Sequence, residues 1–323
     1  MVDVFFTVDV EMWCDGWSNL DARFPAAFQS YVYGRTPSGE LGLPYQLRLL
    51  SDHGLTGVFF VEALFATRFG ILPLAEIVDL VKQAGHEVQL HLHTEWVDEA
   101  CVDLLGTSGQ RTKRQFLRQF DTHEQSQLIR IGLQLLRDAG AGEVNAFRAG
   151  SFSFNADTLA ALADNDLPFD ASYNATRFGP ESGVSPGELL LDSRQIAAGI
   201  HEFPMAIFSD AAGRLRHAQL GACSFGEIES ALWRAAEAGR QSFVVLSHNF
   251  ELLNQGKNRE DKIVVNRFRK LCAFLERHCD TFRSAGFVGL EPQPVKEKPA
   301  MLQVPWWHTA HRIAEQAWRR SYR

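Results

Sequence analysis

The residues best equipped for chemistry stand at the ends of short apolar runs. QLHLHTEW (residues 89–96) places two imidazoles and a carboxylate close together, as His91, His93 and Glu95. TVDVE (7–11) ends in Asp9 and Glu11, FRAGSF (147–152) carries Arg148, and VVLSH (244–248) ends in His248. Side chains alternate in direction along a strand, so Asp9 and Glu11 project to one side, as do His91, His93 and Glu95 while the strand lasts; both groups can face one cavity. Imidazole and carboxylate together suit zinc or another divalent transition metal, and positions left to water would make the site catalytic. Such a metal acidifies a water and polarises a carbonyl. H-x-H on a strand is also what a solvated face or hydrogen-bonded histidines look like; its conjunction with Asp-x-Glu and a distant His favours the metal.

Other chemistries find less support. There is no G-x-S-x-G elbow, and none of the five cysteines, Cys14, Cys101, Cys223, Cys272 and Cys279, has a signalled His partner, so no acyl-enzyme is expected. The cysteines are odd in number and form no C-x-x-C pair, which reads as reduced, mostly buried thiols. A formal net charge of −7 argues against nucleic acid as the main partner, since phosphate binding draws on surplus Lys and Arg.

The elements that must position these residues alternate in type. Residues 3–11 read as a buried strand. LPYQLRLLSDHG then reads as a helix ended by Gly54, TGVFFVE as a strand, and PLAEIVDLVKQAGHEVQLHLH as a helix with Pro73 in its first turn followed by a strand. A long helix is expected from about Arg111 to Ala139, a strand at NAFRAGSF and a helix capped by Asn155. HEFPM and SFVVLSHNFE follow as strands separated by a helix over 225–239, then a helix over 261–285 and a closing strand at GFVGL. Strands alternating with helices imply parallel pairing, and about seven such units favour an α/β barrel, in which the chemistry sits at strand C-termini. With 323 residues, 46% of them hydrophobic, the chain suits one domain with an appendage.

TVDVE, LGLPYQLRLLSDHGLTGVFFVE, GHEVQLHLHTEW, FRAGSF, FDASY and VVLSH come in the order of the motif blocks of the polysaccharide deacetylases. That family is carbohydrate esterase family 4, with its chitooligosaccharide deacetylase homology domain. The resemblance covers about residues 2–290 and is nearest to the branch associated with lipopolysaccharide and cell-wall polysaccharide biosynthesis. It implies a distorted (β/α) barrel and a divalent metal, usually zinc, used to hydrolyse N-acetyl or O-acetyl groups on sugars. On this resemblance Asp9 is the base and Glu11 a metal ligand, although D-x-E in place of adjacent aspartates allows these roles to be exchanged. The family's second motif has two histidines four residues apart. Here His91 matches the first and Glu95 stands at the second, a departure for which His93 is the nearest replacement. Arg148 resembles the arginine that orients the base, and His248 the acid that protonates the leaving group. Asp170 in FDASY meets the fourth motif only in part, and a turn-forming Asp accounts for it equally well.

The expected substrate is an acetylated sugar or glycan, with N-acetyl favoured, and Trp96 and Phe152 could wall its pocket, core packing being the commoner fate of such aromatics. Two other readings stand beside the deacetylase: hydrolysis of another amide, cyclic amide or formamide, and a non-catalytic glycan-binding barrel, made plausible by Glu95.

Two segments lie outside the motifs. Residues 12–43 form a long, aromatic-rich insertion after the first strand, expected to cover the cleft and contact substrate. The chain is expected to divide into a catalytic barrel over 1–290 and a linker with an amphipathic helix over 291–323. From Glu291 onward there are six Lys or Arg against three Asp or Glu. A basic aromatic helix can pack on its own barrel or make peripheral contact with an anionic membrane. No secretory leader is recognisable at the N-terminus and no apolar run reaches about 18 residues, so the reading is a cytoplasmic protein, at the inner membrane face if the helix docks there.

Overall fold

The computed structural model describes residues 1–106, 113–197, 199–292 and 299–321. Its elements begin with β1 (Val2–Val10), α1 (Leu20–Phe28), a hairpin of β2 (Arg35–Thr36) and β3 (Gly39–Glu40), α2 (Leu43–Asp52) and β4 (Gly57–Glu62). The short α3 (Ala66–Phe69) leads to α4 (Ile71–Gln83), β5 (Glu87–Leu92), α5 (Thr122–Asp138), β6 (Ala146–Ala149) and α6 (Ala156–Ala163). Next come β7 (Phe169–Asp170), β8 (Arg194–Ala197), β9 (Ile200–Glu202), β10 (Ile207–Ser209) and β11 (Leu215–His217). The remainder is α7 (Phe225–Glu237), β12 (Ser242–His248), α8 (Lys262–Arg277), β13 (Phe282–Ser284), β14 (Leu302–Gln303) and α9 (Trp306–Ser321).

Two compact units result: Met1–Gly57 with Ala206–Gly286 and Glu297–Arg323, and Val58–Met205 with Phe287–Lys296. In the first, β1 pairs in parallel with β12, in register from Asp3 opposite Ser242 to Asp9 opposite His248, and with β13. Nearly every residue of β1 is buried, as expected of a parallel strand covered on both faces, and Phe6 stacks on Phe268 of α8 with centroids 5.1 Å apart. In the second unit β4, β5, β6, β7 and β9 pair in parallel and β8 closes the edge antiparallel to β9. The register sets Glu62 beside His91 and His91 beside Arg148, and Asp170 beside Glu202. Polar residues therefore gather at the C-terminal ends of these strands. Among the described residues side-chain caps start four helices: Asp121 for α5, Asn155 for α6, Ser224 for α7 and Asp261 for α8.

Several elements depart from expectation. The insertion after β1 contains α1 and a π-helical turn over Gln29–Tyr33; Pro25 inside α1 and a left-handed Asn19 at its start hide the helical signal. Of the helix expected from 111 to 139 the structure has Thr122–Asp138, preceded by a 3₁₀ turn at Leu117–Gln119, while Arg111 falls outside the described residues. GFVGL is not a strand. The closing strand is β13, and Phe287 instead fills an aromatic cluster, 5.2 Å from Phe203 and 5.5 Å from Phe169 by ring centroids. Most of the expected linker, residues 293–298, also lies outside the described residues.

The C-terminal helix packs on its own unit, and it does so through charge. Buried Arg312 donates to Glu227 (2.8 Å) and Asp210 (3.2 Å), Arg267 of α8 pairs with Glu315 at 2.6 Å, and Arg319 pairs with Asp261 at 2.6 Å. No helix among the described residues is long and apolar enough to cross a membrane. Cys14, Cys223 and Cys272 are buried, whereas Cys101 and Cys279 are exposed.

Candidate active site

In the first unit the pairing of β1 with β12 sets Asp9 beside His248, and Glu11 follows just past the end of β1. Asp9, Glu11 and His248 each offer a donor atom within 4.8 Å of the others. His248 Nε2 is 3.8 Å from a Glu11 oxygen and Nδ1 is 3.9 Å from Glu251. Burial alone would strip the proton from His248; Glu251, with the charges of Glu11 and Asp9, outweighs it and raises the pKa to about 9. The backbone here is fixed by amides. Asn249 accepts from the Glu11 N–H (3.0 Å) and donates to the carbonyls of Glu11 (3.1 Å) and Tyr31 (2.8 Å), and Gln46 donates to the carbonyls of His248 and Asn249. Trp13 donates its indole N–H to Glu11 at 2.7 Å and meets Trp17 edge-on, so an aromatic surface borders the carboxylate.

In the second unit His91 and His93 lie at the end of β5 with ring centroids 4.9 Å apart. His91 Nδ1 lies 2.8 Å from the Arg148 carbonyl. A carbonyl can only accept, so Nδ1 carries the hydrogen and the lone pair of the neutral ring is on Nε2, the tautomer a metal requires. His93 Nδ1 faces the Glu95 carboxylate at 3.3 Å, which directs its Nε2 the other way. Glu62, wholly buried, accepts the backbone N–H groups of Leu64 and His93 and fixes the chain entering this turn; burial pushes its pKa up to about 8. Gly150 is required here: a Cβ would stand 2.6 Å from the Leu92 carbonyl oxygen and 2.9 Å from the His93 ring.

Arg148 is fully buried, donates from Nε to the Ala171 carbonyl at 3.0 Å and lies 4.2 Å from the Phe60 ring centroid. Its charge is felt by two wholly buried, mutually hydrogen-bonded carboxyls, Asp170 and Glu202. Burial raises Asp170 to about 6 despite a hydrogen bond from Ser172, and burial together with the Asp170 charge raises Glu202 well above the carboxylate range. Asp170 is thus a member of a buried carboxyl pair, where the sequence allows a turn former.

Trp96 belongs to the core. It is wholly buried, edge-on to Phe65 and Phe69, and has no exposed face to offer a sugar. Phe152 is largely buried and follows Ser151 in the left-handed region, with φ of 57° and 55°, a conformation that costs about 1–3 kcal/mol per residue. The sequence reading passes over Glu62, Glu202, Glu251, Asn249, Gln46 and Trp13. A carboxylate closing an apolar run was the available signal for Glu62 and Glu202; the amides carried none.

No protein-family model matches the sequence, and no curated protein matches it. Solved structures do. A Mycobacterium smegmatis structure assigned as a polysaccharide deacetylase superposes with a TM-score of 0.55 at 16% identity, covering 93% of this chain and 95% of that one. A family 4 carbohydrate esterase from Streptomyces lividans, in complex with acetate, matches with a TM-score of 0.43 at 13% identity over 93% of this chain and 97% of that one. The first of these establishes the fold, the distorted (β/α) barrel of the polysaccharide deacetylases.

Proposed function

We propose that this chain, with the polysaccharide deacetylase fold, is a metal-dependent hydrolase that removes acetyl groups, N-acetyl in preference, from a sugar or glycan. The observation that carries the reading is the Asp9, Glu11 and His248 cluster, whose donor atoms lie within 4.8 Å of one another at the ends of paired strands. Carboxylates beside an imidazole, as in the Asp9, Glu11 and His248 cluster, are donors that fit a divalent metal, and His91 has its Nδ1 committed to the Arg148 carbonyl, as in a ligand imidazole.

We assign Glu11, His91 and His93 as ligands, with Glu95 orienting His93 in place of binding the ion itself. Zinc suits such nitrogen and oxygen donors. When bound, the ion supplies Lewis-acid polarisation of the acetyl carbonyl and an acidified water. Asp9 takes the proton of the attacking water. His248, kept protonated by its carboxylate neighbours, delivers a proton to the departing amine or alkoxide. Arg148 acts as a positioning residue whose carbonyl sets the His91 tautomer. Trp13 and Phe152 are the aromatics assigned to substrate, and the chain is placed in surface polysaccharide assembly on the cytoplasmic side.

The test is acetate release from N-acetylated oligosaccharides, abolished by chelation and restored by zinc, with Asp9→Asn inactive yet metal-loaded. Loss of the ion in Asp9→Asn would show that Asp9 and Glu11 exchange roles. Absence of acetate release from the zinc-loaded protein would overturn the assignment.

A further inference from the structure

We propose that the outward face of α9 docks on the surface of an anionic lipid bilayer. Amphipathic helices of globular proteins turn their apolar stripe inward. In α9 the order is reversed. Thr309 and Arg312 are buried, and the face toward its own unit is held by ion pairs of Arg312, Glu315 and Arg319. The opposite face presents Trp306, Trp307, Ile313 and Trp318 at 67, 54, 56 and 66% exposure, spaced along the helix with Ala310, Ala314 and Ala317 between them.

Large aromatics left in water at helical spacing mark an interaction surface. The charge around them names the partner. Lys262 and Lys270 of α8 line, with His311, Ala314 and Trp318, a cavity of about 910 Å³ beside the exposed stripe, and Arg320 stands exposed in the last turn. Glu315 on the same wall is neutralised by Arg267 at 2.6 Å, and Glu260 is outnumbered there by Arg259, Lys262 and Lys270. Indole rings with an apolar body and one polar N–H, rimmed by cations, fit the headgroup boundary of an anionic bilayer. Arg312 fixes the helix with its ion pairs underneath, so the aromatic face is presented without disturbing the fold.

The experiment uses the full chain with mixed phosphatidylglycerol–phosphatidylcholine vesicles and with pure phosphatidylcholine vesicles. Co-sedimentation with the anionic vesicles alone is expected, with a blue shift of tryptophan emission and weakening in high salt. Replacing Trp306, Trp307 and Trp318 together by Ser should lower partitioning by about tenfold or more at an unchanged thermal transition. Lys262→Gln with Lys270→Gln should lower it on anionic vesicles, by less. The proposal fails if the intact chain ignores anionic vesicles. It fails equally if light scattering shows a dimer that the tryptophan variant dissolves while vesicle binding is absent, because the face would then join two copies.

Discussion

The strand ends of the two units carry the same residue types and treat them in opposite ways. In the first unit Asp9, Glu11 and His248 cluster at the ends of paired strands, with the His248 side chain a fifth exposed and the backbone around it fixed by neutral amides. In the second, Arg148, Asp170 and Glu202 have no exposure at all and are engaged with one another and with backbone groups. Position at a strand end therefore does not make a residue reactive. What separates the two is burial: the second group is sealed from solvent, whereas the side chains of His248 and Glu11 keep 20% and 11% exposure. The histidines at the end of β5 stand between the two: each is buried, and each has its Nδ1 engaged, His91 by the Arg148 carbonyl and His93 by Glu95.

The sharpest way to break this comparison is through His248. His248→Ala should lower kcat by about 10²–10⁴ with little change in KM or unfolding temperature, since general acid groups contribute on that scale; full activity would put it among the supporting residues. Arg148→Ala should act in reverse, costing about 3–5 kcal/mol of stability by stranding buried carboxyls, read in a denaturant titration. Glu95→Gln tests the intermediate class. If Glu95 orients His93, metal affinity should fall about 10- to 100-fold with stoichiometry unchanged, as for carboxylates behind metal-bound imidazoles.

The smallest effect concerns pH. Asp170 and Glu202 are raised from ordinary values of 3.8 and 4.5, so the folded chain holds protons that the unfolded chain releases. Their contribution to stability is complete below about pH 4 and is lost as pH rises through the folded value, about 6 for Asp170. The slope is about 1.4 kcal/mol per pH unit for one proton. Glu202→Gln, which keeps the shape of the protonated acid, should flatten the dependence between pH 5 and 8; an unaltered slope would place the excess proton elsewhere.

Most of the fold was legible because strands such as Val2–Val10 and Ser242–His248 are continuous apolar runs and helices such as Ile71–Gln83 carry clear periodicity and stop signals. The candidate site was legible where it could be read as the polar end of such a run. It was not legible where a long-range partner decides the role. Nothing local distinguishes Trp96, enclosed by Phe65 and Phe69, from Trp13, bonded to Glu11. Nor does the spacing of His93 and Glu95 say which faces a ligand, because the answer depends on the ring's orientation. The final helix misleads for the same reason, as its periodicity gives an apolar stripe without saying which way the stripe looks.

Asn249 joins three pieces of chain with one side chain, the two strand ends and the Tyr31 carbonyl of the insertion. The insertion is thereby moored beside the cluster through Tyr31, whose ring also meets Phe250 edge-on, and through Trp13 on Glu11. Its other residues can diverge while Asp9, Glu11 and His248 stay where they are. The insertion and the strand-end cluster can accordingly evolve on separate clocks, with Tyr31 and Trp13 as the points at which any change in one would first be felt by the other.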